Sequence, residues 1–138
     1  MRFVALVVLC LLAAACDAVV GGVACPAVSE PALVVTIVDA ATGEPAAEGA
    51  LVVARDGAFA DTLRASGVYD GQELVSVAGA HGRPGTYRVS VEQTGYERWE
   101  RADVEVRSSG GACPQPVTVS LDARLVRAVG FATGDARH

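Results

Sequence analysis

Few residues in this 138-residue chain could do chemistry. It has four cysteines (Cys10, Cys16, Cys25, Cys113) and two histidines, His81 and His138. A zinc site needs three or four Cys, His or carboxylate ligands at workable spacing. There is no CxxC, His81 lies in a Gly-rich turn and His138 is the last residue of the sequence. A serine hydrolase needs a serine in a built turn and an oriented histidine, and no GxSxG occurs. Asp56, Asp61, Asp70 and Glu73 fall in or beside loops, but their spacing matches no calcium loop and reads as solvated carboxylates. The expectation is therefore a protein without catalytic residues, metal or cofactor.

The cysteines point to export instead. Met1-Arg2 is a short positive start, Phe3 to Leu12 is unbroken apolar sequence, and Ala13, Ala14 and Ala15 are small. This is the pattern of a secretory signal over residues 1–15, too short for a transmembrane span. Its end, Leu12-Ala13-Ala14-Ala15-Cys16, resembles a bacterial lipobox, with Ala13 where Leu is usual. The resemblance implies that Cys16 becomes the mature N-terminus, carries lipid and anchors the protein in a membrane of the cell envelope, facing the periplasm or the exterior. Ordinary signal peptidase would cut the same bond and release a secreted protein with a free Cys16. Each buried methylene of an acyl chain contributes ~0.8 kcal/mol, so several chains hold firmly. Cys10 leaves with the signal. Cys25 and Cys113 remain, each followed by Pro and so in extended or turn backbone. Outside the cytoplasm two leftover cysteines pair, and a Cys25–Cys113 disulfide is predicted.

Composition narrows the partners. All eleven basic residues are Arg, and the net charge of −5 becomes about −6 once Arg2 is lost with the signal. An acidic domain without a basic run is a poor fit to nucleic acid. There is no Asn, hence no N-glycosylation acceptor. Half of the residues are hydrophobic but only 5% are aromatic, so Val, Leu and Ala must build the core.

The elements that would position these residues are strands. Residues 16–30 lack periodicity and read as a tether. Leu33 to Asp39 is a β-branched run expected to be buried on nearly both faces. Ala50 to Arg55, a hairpin signal at Asp56-Gly57, and Phe59 to Arg64 follow. Glu73 to Ala78 is a fourth strand. From Gly85, Tyr87, Val89 and Val91 alternate with Arg88, Ser90 and Glu92, the period of a half-buried strand. Thr94-Gly95 breaks it, and a further strand ends in Val104 and Val106. Val117, Val119 and Leu121 alternate inward to close the structure, Leu125 to Val129 adds a helical turn or an extra strand, and within the C-terminal tail, 126–138, Gly130 to His138 is expected to be loosely ordered. Seven short strands with turn signals every eight to twelve residues predict an all-β, seven-stranded Greek-key sandwich.

Trp99 is ambiguous. By strict alternation Tyr96 shares a face with Ala102, Val104 and Val106, and Trp99 falls on the other. Either a bulge near Arg98–Arg101 turns Trp99 into the core, or it stands outside among charges, where Trp99 and Tyr96 would suit a peptide or sugar.

Val38-Asp39, Thr42-Gly43-Glu44-Pro45, Ala50 to Val53, Gly85-Thr86-Tyr87-Arg88-Val89, Gly95-Tyr96, Val104-Glu105-Val106 and Val117 to Leu121 together resemble the carboxypeptidase regulatory-like domain, a transthyretin-like seven-stranded sandwich. The resemblance covers 33–121 within a domain expected over 31–125. That family's domain is an accessory module with no catalytic residues to carry over. Together with the lipobox it leads to the expectation of a non-catalytic structural or binding module, held to the membrane by the lipid and serving an envelope protein or glycan. The alternatives are a carbohydrate- or peptide-binding domain using Trp99 and adjacent loops and, as a minor reading, a small accessory enzyme.

Overall fold

The computed structural model describes residues 22–64 and 74–130. The signal segment, Cys16 with the start of the tether, the loop holding Asp70 and Glu73, and the last residues including His138 lie outside the described residues. Among the described residues there are seven strands and no helix: β1 (Leu33–Asp39), β2 (Leu51–Asp56), β3 (Phe59–Leu63), β4 (Ser76–Gly79), β5 (Gly85–Glu92), β6 (Trp99–Val106) and β7 (Val119–Leu125).

They form two sheets, one of order β4-β1-β7 and one of order β3-β2-β5-β6. β1 runs antiparallel to β4 and parallel to β7, and every pair in the larger sheet is antiparallel. One apolar core takes side chains from both sheets: Leu33, Val35 and Ile37 from β1 and Ala123 and Leu125 from β7 join Val52, Ala54, Tyr87, Val89 and Val91. With few rings available, Tyr87 is the largest fully buried side chain. Its hydroxyl donates to the Arg83 carbonyl at 2.6 Å, which satisfies the one polar atom that burial would orphan. Phe59 meets it edge-on at 6.4 Å.

β1 departs from the expectation of burial on both faces. Leu33, Val35, Ile37 and Asp39 are buried, but Val34, Thr36 and Val38 are only partly covered. Among the described residues no second layer lies over that outer face, and the unbroken β-branched run reflects strand preference rather than double burial. The β2–β3 turn is Gly57–Ala58, with φ +56 at Gly57, which glycine takes at no steric cost.

Two strand boundaries differ. β4 begins at Ser76, later than Glu73. β7 begins at Val119 and runs on to Leu125; Val117 is exposed, Val119 and Leu121 are half-covered, and Ala123 and Leu125 carry the burial. The charges of Asp122 and Arg124 look like loop in sequence but are the outward half of the same alternation.

β6 contains the bulge, a little beyond the expected place. Tyr87 faces Val104 while Val89 faces Arg101, so β6 uses one residue more than β5 there. The surplus falls at Ala102–Asp103, and Asp103 has φ +56. The slip restores Val104 and Val106 to the core side. Before it, Trp99 sits opposite buried Val91 and packs, partly buried, against the core.

Candidate functional site at the Asp39 end

The registers give the molecule two ends. Leu33 pairs with Gly79 and Val119, and Gly85 with Val106, at one end. Asp39 pairs with Leu125, and Leu51 with Glu92, at the other.

At the first end the disulfide joins Cys25 to Cys113 with Cα atoms 5.3 Å apart. The chain from there to β1 is held down. Thr118 donates to the Pro31 carbonyl at 2.7 Å, the Gly82 amide to that of Glu30 at 2.9 Å, and His81 Nδ1 lies 3.1 Å from the Ser29 carbonyl. The predicted tether is thus partly fixed to the domain by the staple and these bonds.

The second end is organised by Asp39. Its alternation with Leu33, Val35 and Ile37 turns the side chain inward, where it is 2% exposed. Four donors answer it. The amides of Ala41 (2.8 Å) and Thr42 (3.1 Å) donate to Oδ1. The Tyr96 hydroxyl (3.0 Å) and Arg127 Nε (2.8 Å) donate to Oδ2. These bonds, the Thr42 and Ala41 amides foremost, outweigh the opposing effect of burial and lower the Asp39 pKa to about 2. The Tyr96 hydroxyl is pushed up, first by burial and then by its bond to the Asp39 carboxylate. The Arg127 guanidinium also lies over the Tyr96 ring, 5.3 Å from its centre.

Backbone bonds complete this clamp. The Glu97 amide donates to the Val126 carbonyl and the Ala128 amide to that of Gly95, making an isolated bridge between Tyr96 and Arg127. After β7 there is neither the helical turn nor the extra strand expected at Leu125 to Val129, but the paired structure continues past Leu125. Tyr96 lies in the β5–β6 turn, not on a strand face with Val104.

Beside the clamp Gly49, Leu51, Gln93, Thr94, Tyr96 and Arg98 line an open cleft of about 460 Å³. Gln93 braces its wall by donating to the carbonyls of Glu48 (2.6 Å) and Ala46 (3.2 Å). Arg98 reaches Glu92 at 2.7 Å and Glu100 at 3.6 Å. These exposed pairs shape the rim more than they stabilise the fold.

Neither a protein-family model nor a curated protein matches this sequence.

The structure brings Tyr96 and Trp99 to one end, Tyr96 on the cleft and Trp99 against the core. Sequence reasoning missed Asp39 and Arg127. The signal for Asp39 was parity, since it continues the inward series of β1; its partner lies 88 positions away and leaves no local mark. Of the carboxylates weighed for calcium, Asp61 accepts from the Ala80 amide at 2.8 Å. Among the described residues no three His, Cys, Asp or Glu side chains are grouped to hold a metal. Chemically, the Asp39 arrangement is a clamp: both carboxylate oxygens are occupied, so the group holds three segments together and has no lone pair directed at the cleft.

Proposed function

We propose that this chain is a non-catalytic, lipid-anchored module of the bacterial cell envelope, a Greek-key sandwich of the transthyretin-like, carboxypeptidase regulatory-like kind with a structural or binding role. The Cys25–Cys113 disulfide carries this reading, because such bonds persist in oxidising, extracytoplasmic surroundings. Among the described residues no helix is long and apolar enough to cross a membrane, and the lipid on Cys16 is the proposed anchor. The sandwich reading draws support from the two sheets over one core, in which β1 lies between β4 and β7 while β2 lies between β3 and β5. The non-catalytic reading draws support from Asp39, whose low pKa follows from holding structure together.

The test is the intact mass of the mature N-terminus from a membrane fraction, with and without an inhibitor of lipoprotein signal peptidase. The expected result is an acylated Cys16 as first residue, replaced by unprocessed precursor under the inhibitor. Unmodified Cys16 in the soluble fraction would overturn the anchor.

A second reading, a glycan- or peptide-binding domain, is favoured by the cleft beside Tyr96. Trp99→Ala separates the two. As a half-buried ring packed on the core, Trp99 should contribute about 2 kcal/mol of stability, below the 3–5 kcal/mol of a fully buried aromatic. The structural reading expects that loss with no change in what the protein captures from envelope extracts. A glycan or peptide captured by the wild type and released by a folded Trp99→Ala variant would favour the second reading.

A further inference from the structure

On the outer face of the larger sheet the β2–β5 register sets Arg55 directly opposite Arg88. Like charges facing across antiparallel strands destabilise a sheet. Arg88 is answered by Glu100 at 3.3 Å. Arg55 is exposed and has no ion-pair or hydrogen-bond partner among the described residues. On β6 Asp103 is likewise exposed and unpaired among the described residues, held at φ +56 by the bulge. A glycine would sit there without strain, yet the position carries a carboxylate. Bulges commonly serve to re-aim a side chain, and this one brings Asp103 to the same open cleft as Arg55, Thr86, Arg88 and Ala102. The cleft measures about 340 Å³, space for about ten water-sized groups. Two unpaired charges of opposite sign therefore line one small cleft without meeting each other.

We propose that this cleft binds a small zwitterion bearing an oxyanion and a primary ammonium, with the phosphoethanolamine group as the fitting chemistry. The oxyanion takes the forked donors of Arg55, with Arg88 and the Thr86 hydroxyl beside it. The ammonium takes the Asp103 carboxylate. Bound in this way, the ligand relieves the Arg55–Arg88 repulsion and fills the gap that keeps Asp103 from either arginine. The group occurs on lipid headgroups and as a soluble compound, and the chemistry of the site is the same for both.

The test is a nuclear magnetic resonance titration of the mature exported protein, disulfide intact, with O-phosphoethanolamine and separately with inorganic phosphate. The expected result is saturable shifts at Arg55, Thr86, Arg88 and Asp103 with phosphoethanolamine. Arg55→Gln should weaken both ligands at least ten-fold. Asp103→Asn, which keeps a residue tolerant of positive φ, should weaken phosphoethanolamine several-fold and leave phosphate equal or tighter. Both substituted side chains are exposed, so unchanged spectra away from the cleft verify that the variants fold. An absence of saturable shifts in the wild type would overturn the proposal, as would an Asp103→Asn variant that treats both ligands alike. Displacement of the soluble ligand by phosphatidylethanolamine vesicles, against none by phosphatidylcholine vesicles, would support the site and identify the bilayer as its source. Displacement by neither would support it as a site for the soluble compound.

Discussion

Replacing Asp39 with Ala should lower the melting temperature by more than about 10 °C, a large shift for a domain of this size. The substitution removes little apolar contact. Its effect comes from the partners left behind: the Ala41 and Thr42 amides, the Tyr96 hydroxyl and the Arg127 guanidinium all lose their acceptor together. Arg127 is 66% exposed and its guanidinium can turn to water, so the loss is chiefly that of the charge-assisted hydrogen bonds by which one buried carboxylate ties the β1 turn, Tyr96 and Arg127 together. Tyr96→Phe removes a single donor and should shift the melting temperature by a few degrees only. Acid provides an independent check with a definite sign. The Asp39 pKa is depressed from 3.8 to about 2 in the fold. Above about pH 4 the carboxylate is ionised in both folded and unfolded chains, and its contribution is complete. As the pH falls towards about 2 the unfolded chain takes a proton that the folded chain resists, and the contribution is lost. Acid unfolding of Asp39→Asn should therefore be less steep over that interval than that of the wild type. Equal slopes would show that Asp39 does not carry the linkage.

Asp39 also shows how far the sequence could be read. Leu33, Val35 and Ile37 announce an inward face, and parity places Asp39 on it. Its composition, followed by Ala-Ala-Thr-Gly, reads as the start of a turn. Both are true, because the strand ends by turning its own carboxylate back onto the amides of the turn. What closes the other oxygen comes from Arg127 beyond β7, a long-range contact that no local pattern encodes. The position of the β6 bulge was hidden for a different reason. Bulges at positive φ are commonly marked by Gly, and here the residue is Asp103, one of the few others that tolerates the conformation. Counting straight through it reverses the face of everything upstream, which is why Trp99 was left between two assignments. The turns at Gly57 and Gly95 and the alternation from Tyr87 to Val91 were legible because they depend on neighbours in sequence. Arg55 and Arg88 become a pair only once β2 and β5 are aligned, so their cleft was not.

Removing the disulfide with Cys25→Ser and Cys113→Ser together should cost up to ~4–5 kcal/mol, the chain-entropy figure for a closed loop of this length. The topology indicates where that loss appears. Cys25 precedes β1 and Cys113 precedes β7, and these two strands pair in parallel from Leu33↔Val119 onward. Joining them brings together segments from opposite ends of the domain, so this pairing carries one of the highest loop-closure costs among the described contacts. The disulfide makes that closure in advance, while the chain is still unfolded. Near it the native contacts also join distant segments: the Thr118 hydroxyl on the Pro31 carbonyl, the Val119 amide on that of Ala32 and the Glu30 amide on Gln115 Oε1. These form with or without the bond. The double variant should therefore fold more slowly and unfold at nearly the wild-type rate, so that the folding arm of a denaturant chevron carries most of the loss. Wild type unfolded and refolded in reductant should match it. If instead the unfolding rate rises and the folding rate holds, β1 and β7 meet only after the rate-limiting step. The disulfide would then stabilise the finished sheet without guiding its assembly.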